Sequence, residues 1–247
     1  MDILSLIFPM HSSEWLQWTE GVTLDQLYED IGTAGKFCVI HSEKPMNKTA
    51  LMFQCAVSEC TNSGYTIIIS QQRLENMPLR VHGMPQPDVG ALKNLKILYM
   101  TTAEELKHYL ASIHQMSLLP DLIIVENLEH YVKDGSPDAA VSGLAKLCAL
   151  LLDAATYITE KSNSKCRILA SLTDSQTKIM EVCLRYASCS FRLDFDDVHT
   201  LCTLHSEKMA PLTETSVKNI VITYKELPNC IKLEHISLKM SEDSTEG

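Results

Sequence analysis

The run Lys36-Phe37-Cys38-Val39-Ile40-His41-Ser42-Glu43-Lys44-Pro45-Met46-Asn47-Lys48-Thr49, continued by an apolar segment to Cys60, decides how this chain is read. Phe37 to Ile40 is an apolar run of strand length and His41 to Asn47 is polar. Thr49 to Cys60 then keeps Ala50, Leu51, Phe53, Ala56 and Val57 at helical spacing. Strand, loop, Lys-Thr and helix is the outline of a P-loop. In such a loop, backbone N–H groups and the helix N-terminus hold a nucleotide's phosphates, the lysine reaches the outer phosphates and the hydroxyl takes magnesium. Lys48 and Thr49 stand in those places, but Ser42 and Asn47 occupy the glycine positions of G-x-x-x-x-G-K-T, with Pro45 between them. Glycine reaches positive φ and admits a close backbone approach; serine meets a steric cost there, asparagine a smaller one, and proline removes an N–H donor. The spacing therefore predicts nucleotide binding that is weakened or lost.

Further along the chain, Leu122 to Val125, bounded by Pro120-Asp121 and Glu126-Asn127, reads as a strand buried on both faces at the middle of a parallel sheet. Its end offers Glu126 as the acid that would hold magnesium, where an aspartate is more usual. Two readings stay open for these residues. They form a phosphate site, or Lys48 and Thr49 merely begin a helix and Glu126 closes a strand. Between and beyond them, strands are predicted at 65–69, 95–100, 165–171 and near 190–193. Helices follow Thr102, whose Glu105 completes a capping box, and Ser136-Pro137, the latter running to about Lys161, with another around 179–184. The stretch Gln71 to Asn94 holds Pro78, Gly83, Pro85, Pro87 and Gly90 and reads as an irregular excursion. Lys218 to Tyr224 and Cys230 to Leu238 follow as strands with no helix between them. The predicted fold class is α/β, a doubly wound, mostly parallel P-loop sheet with antiparallel edge strands at its C-terminal end. One domain spans 36–239, after a helical lead-in over 1–35 that carries Trp15, Trp18 and the pattern Leu24, Leu27, Tyr28, Ile31. A polar tail, 240–247, is expected to be disordered.

Composition narrows the function classes. A formal charge of -10 makes long-range attraction to nucleic acid net repulsive, leaving only a local basic groove for such contact. The nine cysteines include no C-x-x-C pair and several lie in apolar runs, so they read as reduced thiols of a cytosolic or nuclear protein. Asp2 stands where a secretion signal would be basic, and no apolar run approaches membrane-span length, which predicts a soluble intracellular chain. His11, His41, His82 and His130 read as surface or capping groups, and Asp194, Asp196 and Asp197 as a solvated strand-end cluster. Arg73, Arg80, Lys93 and Lys96, with Arg185 and Arg192, either line a groove with Tyr99 or Phe191 as stacking surfaces or are solvated charges.

Taken together, Ser42 to Phe53, Arg73-Leu74-Glu75-Asn76-Met77-Pro78, Asp121 to Tyr131 and Ala149 to Ala155 resemble one family over roughly residues 36–175. It is that of the RecA-like partners of SWIM-type zinc-finger proteins in the vertebrate Shu complex, divergent paralogues of the eukaryotic strand-exchange recombinase. The resemblance implies a RecA-like ATPase core and a heterodimer with the zinc-finger protein. It also implies contact with the recombinase and its paralogues, single-stranded DNA binding, and support of recombinase filaments during homologous recombination and double-strand break repair in the nucleus. It places Lys48 at the phosphate lysine and Thr49 at the magnesium hydroxyl, with Glu126 at the acidic strand end and Thr173 near the γ-phosphate sensor. Magnesium-ATP is thus the implied cofactor, with Ser42 and Asn47 in its loop. Gln72 stands where the family's general-base glutamate is expected. An amide cannot take a proton from water, so at most weak hydrolysis is expected. Two other readings remain: a working P-loop ATPase or nucleotide kinase, against which the scarcity of arginine (five in the chain) argues, and a pure protein-interaction domain.

Overall fold

The computed structural model describes residues 3–9, 36–44, 46–132, 136–162, 164–173, 177–196, 200–208 and 218–240. The expectations for Trp15, Trp18, the helical pattern around Leu27 and the tail beyond 240 lie outside them. Ten strands form one sheet in the order β3-β10-β9-β8-β7-β1-β6-β5-β2-β4. In chain order these are β1 (Phe37–Ser42), β2 (Thr66–Ser70), β3 (Arg80–Val81), β4 (Leu95–Tyr99), β5 (Leu122–Val125), β6 (Arg167–Thr173), β7 (Cys189–Asp196), β8 (Leu201–Lys208), β9 (Lys218–Glu226) and β10 (Cys230–Met240). From β7 to β4 every neighbouring pair is parallel, whereas β7, β8, β9 and β10 pair antiparallel in succession.

The parallel strands are continuous apolar runs because both their faces are covered. Successive side chains point to opposite faces of a strand. Cys38 and Ile40 of β1 therefore enter one core with Leu122 and Ile124 of β5, while Phe37 and Val39 enter the other with Ile123 and Val125. The first core is closed by helices α1 (Ile3–Ile7) and α2 (Lys48–Thr61). The second is closed by α4 (Ala103–Ala111), α5 (Pro137–Ser162) and α6 (Thr177–Tyr186). This is the doubly wound arrangement that the alternation of strands and helices predicts. The Gln71–Asn94 excursion is not wholly irregular: it contributes the two-residue β3, which adds to β10, and the short helix α3 (Val89–Lys93), capped by Asp88.

Three details differ from the sequence reading. Strand β8 is absent from it, because its inward residues are Cys202, Leu204 and Ser206, too few apolar side chains to mark a strand. Helix α5, at 26 residues, is long and apolar enough by length and composition to cross a membrane, although no such run is expected. It instead lays Leu144, Leu147, Leu151, Ala155 and Ile158 along the sheet at helical spacing. Ile3–Phe8 also belongs to the main core: α1 packs on α2, and the Phe8 ring lies 5.7 Å from that of Tyr224 on β9. All nine cysteines are free and eight are buried.

Because Phe8 is fully buried where α1 meets the antiparallel strands, Phe8→Ala is expected to destabilise the chain by about 3–5 kcal/mol. A lower urea midpoint would show it; a midpoint equal to that of the parent chain would remove Phe8 from the core.

Candidate phosphate-binding site

The parallel register sets Ser42, at the end of β1, opposite Thr173, at the end of β6, so two hydroxyls from separate strands meet where α2 begins. Lys48 is the first residue of that helix and is 2% exposed. Its Nζ donates to Ser42 Oγ at 2.7 Å and to Thr173 Oγ1 at 2.6 Å. Ser42 Oγ in turn donates to the Lys44 carbonyl at 2.7 Å, tying the loop to its own strand. Burial of the ammonium lowers the Lys48 pKa to about 8, and the Glu129 carboxylate partly offsets that shift. Asn47 caps α2 by accepting from the Ala50 N–H, with φ at -73°. Neither Ser42 nor Asn47 is among the described residues with positive φ. At these two positions the steric cost expected from the missing glycines is not incurred, because both take backbone angles that L-residues tolerate.

Beside this tie, Glu126 closes β5 almost buried, and Thr49 is half-buried. Both line a cavity of about 110 Å³ together with Gln72, Arg73, Asn127 and His130. Asn127 turns the chain there with φ at 48°, a conformation asparagine accepts more readily than most residues, and its N–H donates to Ser171 Oγ. The turn leads into the 3-10 segment Leu128–Val132, which buries Glu129. A larger cleft, about 520 Å³, is lined by Glu43, Lys44, Met46 and Asn47 of the loop and by residues of β7 and β8, among them Phe195. Sequence reasoning misses Glu129 and Ser171. The one signal is a second acid three residues after Glu126 within an otherwise apolar stretch.

The remaining sequence candidates are more scattered. Arg73 lies over the Tyr99 ring at 5.9 Å, and Tyr99 is 42% exposed. Phe191, by contrast, is 3% exposed within the first core, so it offers no stacking surface, because its position on β7 points inward. Arg80 lies on β3 and bonds Gln86, Lys93 ends α3, and Lys96 is on β4, at the opposite edge of the sheet from β3. Arg192 pairs with Asp194 at 2.9 Å and with Glu207 at 3.4 Å. His41 is not a surface or capping group: it is buried in β1 with Nε2 2.8 Å from Glu207 Oε2, since β1 is covered on both faces.

No protein-family model matches this chain, and no curated protein matches it in sequence. Solved structures do. The flagellar accessory protein FlaH from Methanocaldococcus jannaschii aligns with a TM-score of 0.55 at 13% identity, over 86% of this chain and 96% of that one. A DnaB-like replicative helicase, in a structure describing its interactions with primase, gives 0.52 at 10% identity, over 92% of this chain and 70% of that one. This chain has the RecA-like ATPase fold.

Within a RecA-like fold the donor set can be tested for a metal and phosphate. Thr49 and Glu126 present hard oxygens to one cavity, and Lys48 lies beside Thr173. These residues fit. Magnesium-ATP, when bound, would bring the charged phosphates and the metal, with Lys48 and Thr173 holding the former and Thr49 and Glu126 the latter. Gln72 lines the same cavity with its backbone N–H and carbonyl both bonded to Ser70 Oγ, and its side-chain amide accepts no proton.

The buried lysine has a consequence for stability. In the unfolded chain it titrates near 10.5 and in the folded protein at about 8, so between those values the unfolded state binds more protons and folding gains stability as pH rises. With about 1.4 kcal/mol for each tenfold change in proton affinity, the parent chain should gain on the order of 1–3 kcal/mol relative to Lys48→Met across that window. Paired urea titrations at about pH 7.5 and about pH 10.5 measure this; a constant difference between the two proteins would show that Lys48 is not buried as a charge.

Proposed function

We propose that this chain is a homologous-recombination mediator, a RecA-like scaffold that binds a SWIM-type zinc-finger partner and single-stranded DNA and supports recombinase filaments in the nucleus. The observation that carries the reading is the combination of a RecA-like ATPase fold with a phosphate lysine bonded to its own strand ends and an amide, Gln72, in the cavity where water would be activated. The motifs from Ser42 to Phe53 and from Asp121 to Tyr131, in their order, point the same way. Such a protein acts by contact, with the nucleotide site a degenerate remnant and the recombinase and its paralogues as further partners. Arg73, beside the exposed ring of Tyr99, is the best placed of the candidate DNA contacts, because a cation and an aromatic face together suit an unstacked base.

An active nucleotide kinase would need free arginines to clamp a transferred phosphoryl group. Arg167 instead pairs with Glu59 at 2.6 Å, and Arg192 is held by Asp194 and Glu207. A pure interaction domain would leave DNA affinity unchanged by any substitution at Arg73.

Co-expressed with a SWIM-type zinc-finger protein, the full chain is expected to purify as a heterodimer, to retain the recombinase from nuclear extract, and to bind a single-stranded oligonucleotide more weakly as salt rises. Arg73→Ala should weaken that binding by roughly 5- to 100-fold, the range for losing one stacking or charged contact. Recovery of neither protein partner would overturn the mediator reading. Turnover of ATP at rates on the order of 1–100 per second, abolished by Lys48→Ala, would restore the enzyme reading.

A further inference from the structure

We propose that Ser42 is a latch residue: with Thr173 it holds the Lys48 ammonium inside the protein's own strand ends, and so sets how weakly this chain takes the phosphates of a nucleoside triphosphate. This rests on the reading of Lys36–Cys60 as a phosphate-binding segment.

An ammonium has three donors and no acceptor, and two of those on Lys48 are spent on Ser42 and Thr173. Ser42 is well made for its part. It is fully buried, its own proton is directed to the Lys44 carbonyl, and its lone pairs are thereby left for Lys48. A hydroxyl that donates is polarised into a better acceptor, so the chain Lys48, Ser42, Lys44 strengthens along its length. A glycine at position 42 could offer no such acceptor. Glu129, buried on the segment after β5, offsets part of the cost of burying the Lys48 charge. The lysine thus has two of its three donors bonded and its charge partly compensated by the protein itself. An incoming phosphate has to replace bonds already made, and only the surplus appears as affinity. Serine at the glycine position therefore acts less by straining the loop, whose described backbone has no positive φ there, than by occupying the lysine.

The test uses the full chain and a fluorescent ATP analogue with magnesium as the probe. Ser42→Gly removes the acceptor and restores the loop's glycine; Ser42→Ala removes only the acceptor, and remains informative if the glycine variant folds poorly. Both are expected to bind the probe more tightly than the parent, by roughly tenfold, the worth of one hydrogen bond to a charged group. A residue that only supported the fold would give the opposite result, weaker binding alongside lower stability. Independently of any nucleotide, a double-mutant cycle between Ser42→Ala and Lys48→Met in urea unfolding is expected to be non-additive. Additive effects would overturn the latch even if the site binds nucleotide. Equal or weaker probe affinity in both Ser42 variants would overturn Ser42 as the residue that sets affinity. Coupling in the cycle with no probe binding by any variant would overturn the phosphate-binding reading and, with it, the role assigned to Ser42 toward nucleotide. Partner and DNA binding, measured separately, would stand or fall on their own.

Discussion

The parallel pairing of β1 with β6 is the constraint on which the site depends. Both strands are buried on both faces, so neither can slip by one residue without turning its apolar side chains from one core into the other. That register fixes Ser42 opposite Thr173. The pair of hydroxyls is consequently a property of the two cores rather than of the loop, and the first turn of α2 delivers Lys48 onto it. Glu126 reaches the same end of the sheet because β5 pairs with β6 in the same direction. In a parallel sheet all strand ends of one sense lie along one edge, which is where α/β proteins place their ligand chemistry.

The central strands are legible in the sequence for the same reason. Burial on both faces produces the continuous runs Phe37–Ile40, Ile67–Ile69 and Leu122–Val125, and such runs have few alternatives once loops of polar residues bound them. The antiparallel extension is harder to read. Strands β7 to β10 send their apolar residues into the first core only. In β8 the outward face carries Thr203, His205 and Glu207 while one inward position is Ser206. A half-buried strand with a serine inside carries little signal. The same geometry explains Phe191 and His41. Which face a strand residue occupies depends on pairing partners far away in sequence, so an arginine-flanked phenylalanine looks available and a strand-end histidine looks exposed. Lys48 and Thr49 are legible because their spacing from β1 is local, and Glu126 because it directly follows a buried apolar run. Glu129 is not, because its effect on Lys48 arises only after Asn127 turns the chain with positive φ.

Charge distribution limits how this chain could meet nucleic acid. With a formal charge of -10, the chain cannot hold nucleic acid by its general field, and several of its cations are already neutralised locally. The outward face of β7 and β8 joins Arg192, Asp194, His205 and Glu207 in ion pairs, with His41 reaching Glu207 from the adjoining β1. Arg167 is held by Glu59, and a Cβ at Gly64 would come within 2.7 Å of that carboxylate, so Glu59 would have to shift. Arg73 differs in facing an aromatic ring at the cavity's rim. Affinity for a strand would have to come from a few local contacts of that kind, and selectivity for unpaired bases would follow, because a duplex does not expose a base face to stack on Tyr99.

Loss of glycine from a phosphate loop can act in two ways. It can strain the backbone, or it can change what the lysine is bonded to. Strain would show as a non-glycine residue at positive φ in the loop, and neither Ser42 nor Asn47 is one. The second route is visible in two short hydrogen bonds and a relayed third, and the two that involve Ser42 survive only while it carries a hydroxyl. The same exchange relieves a difficulty that a ligand-free P-loop otherwise has. A buried ammonium is costly unless its donors are satisfied, and here Ser42 of β1 and Thr173 of β6 accept from two of its three. A lysine bonded to the chain's own strand ends is held in place by the register of β1 and β6. Ser42 thus gives the lysine a partner at the end of β1, and Gln72 lines the neighbouring cavity with an amide, which takes no proton from water.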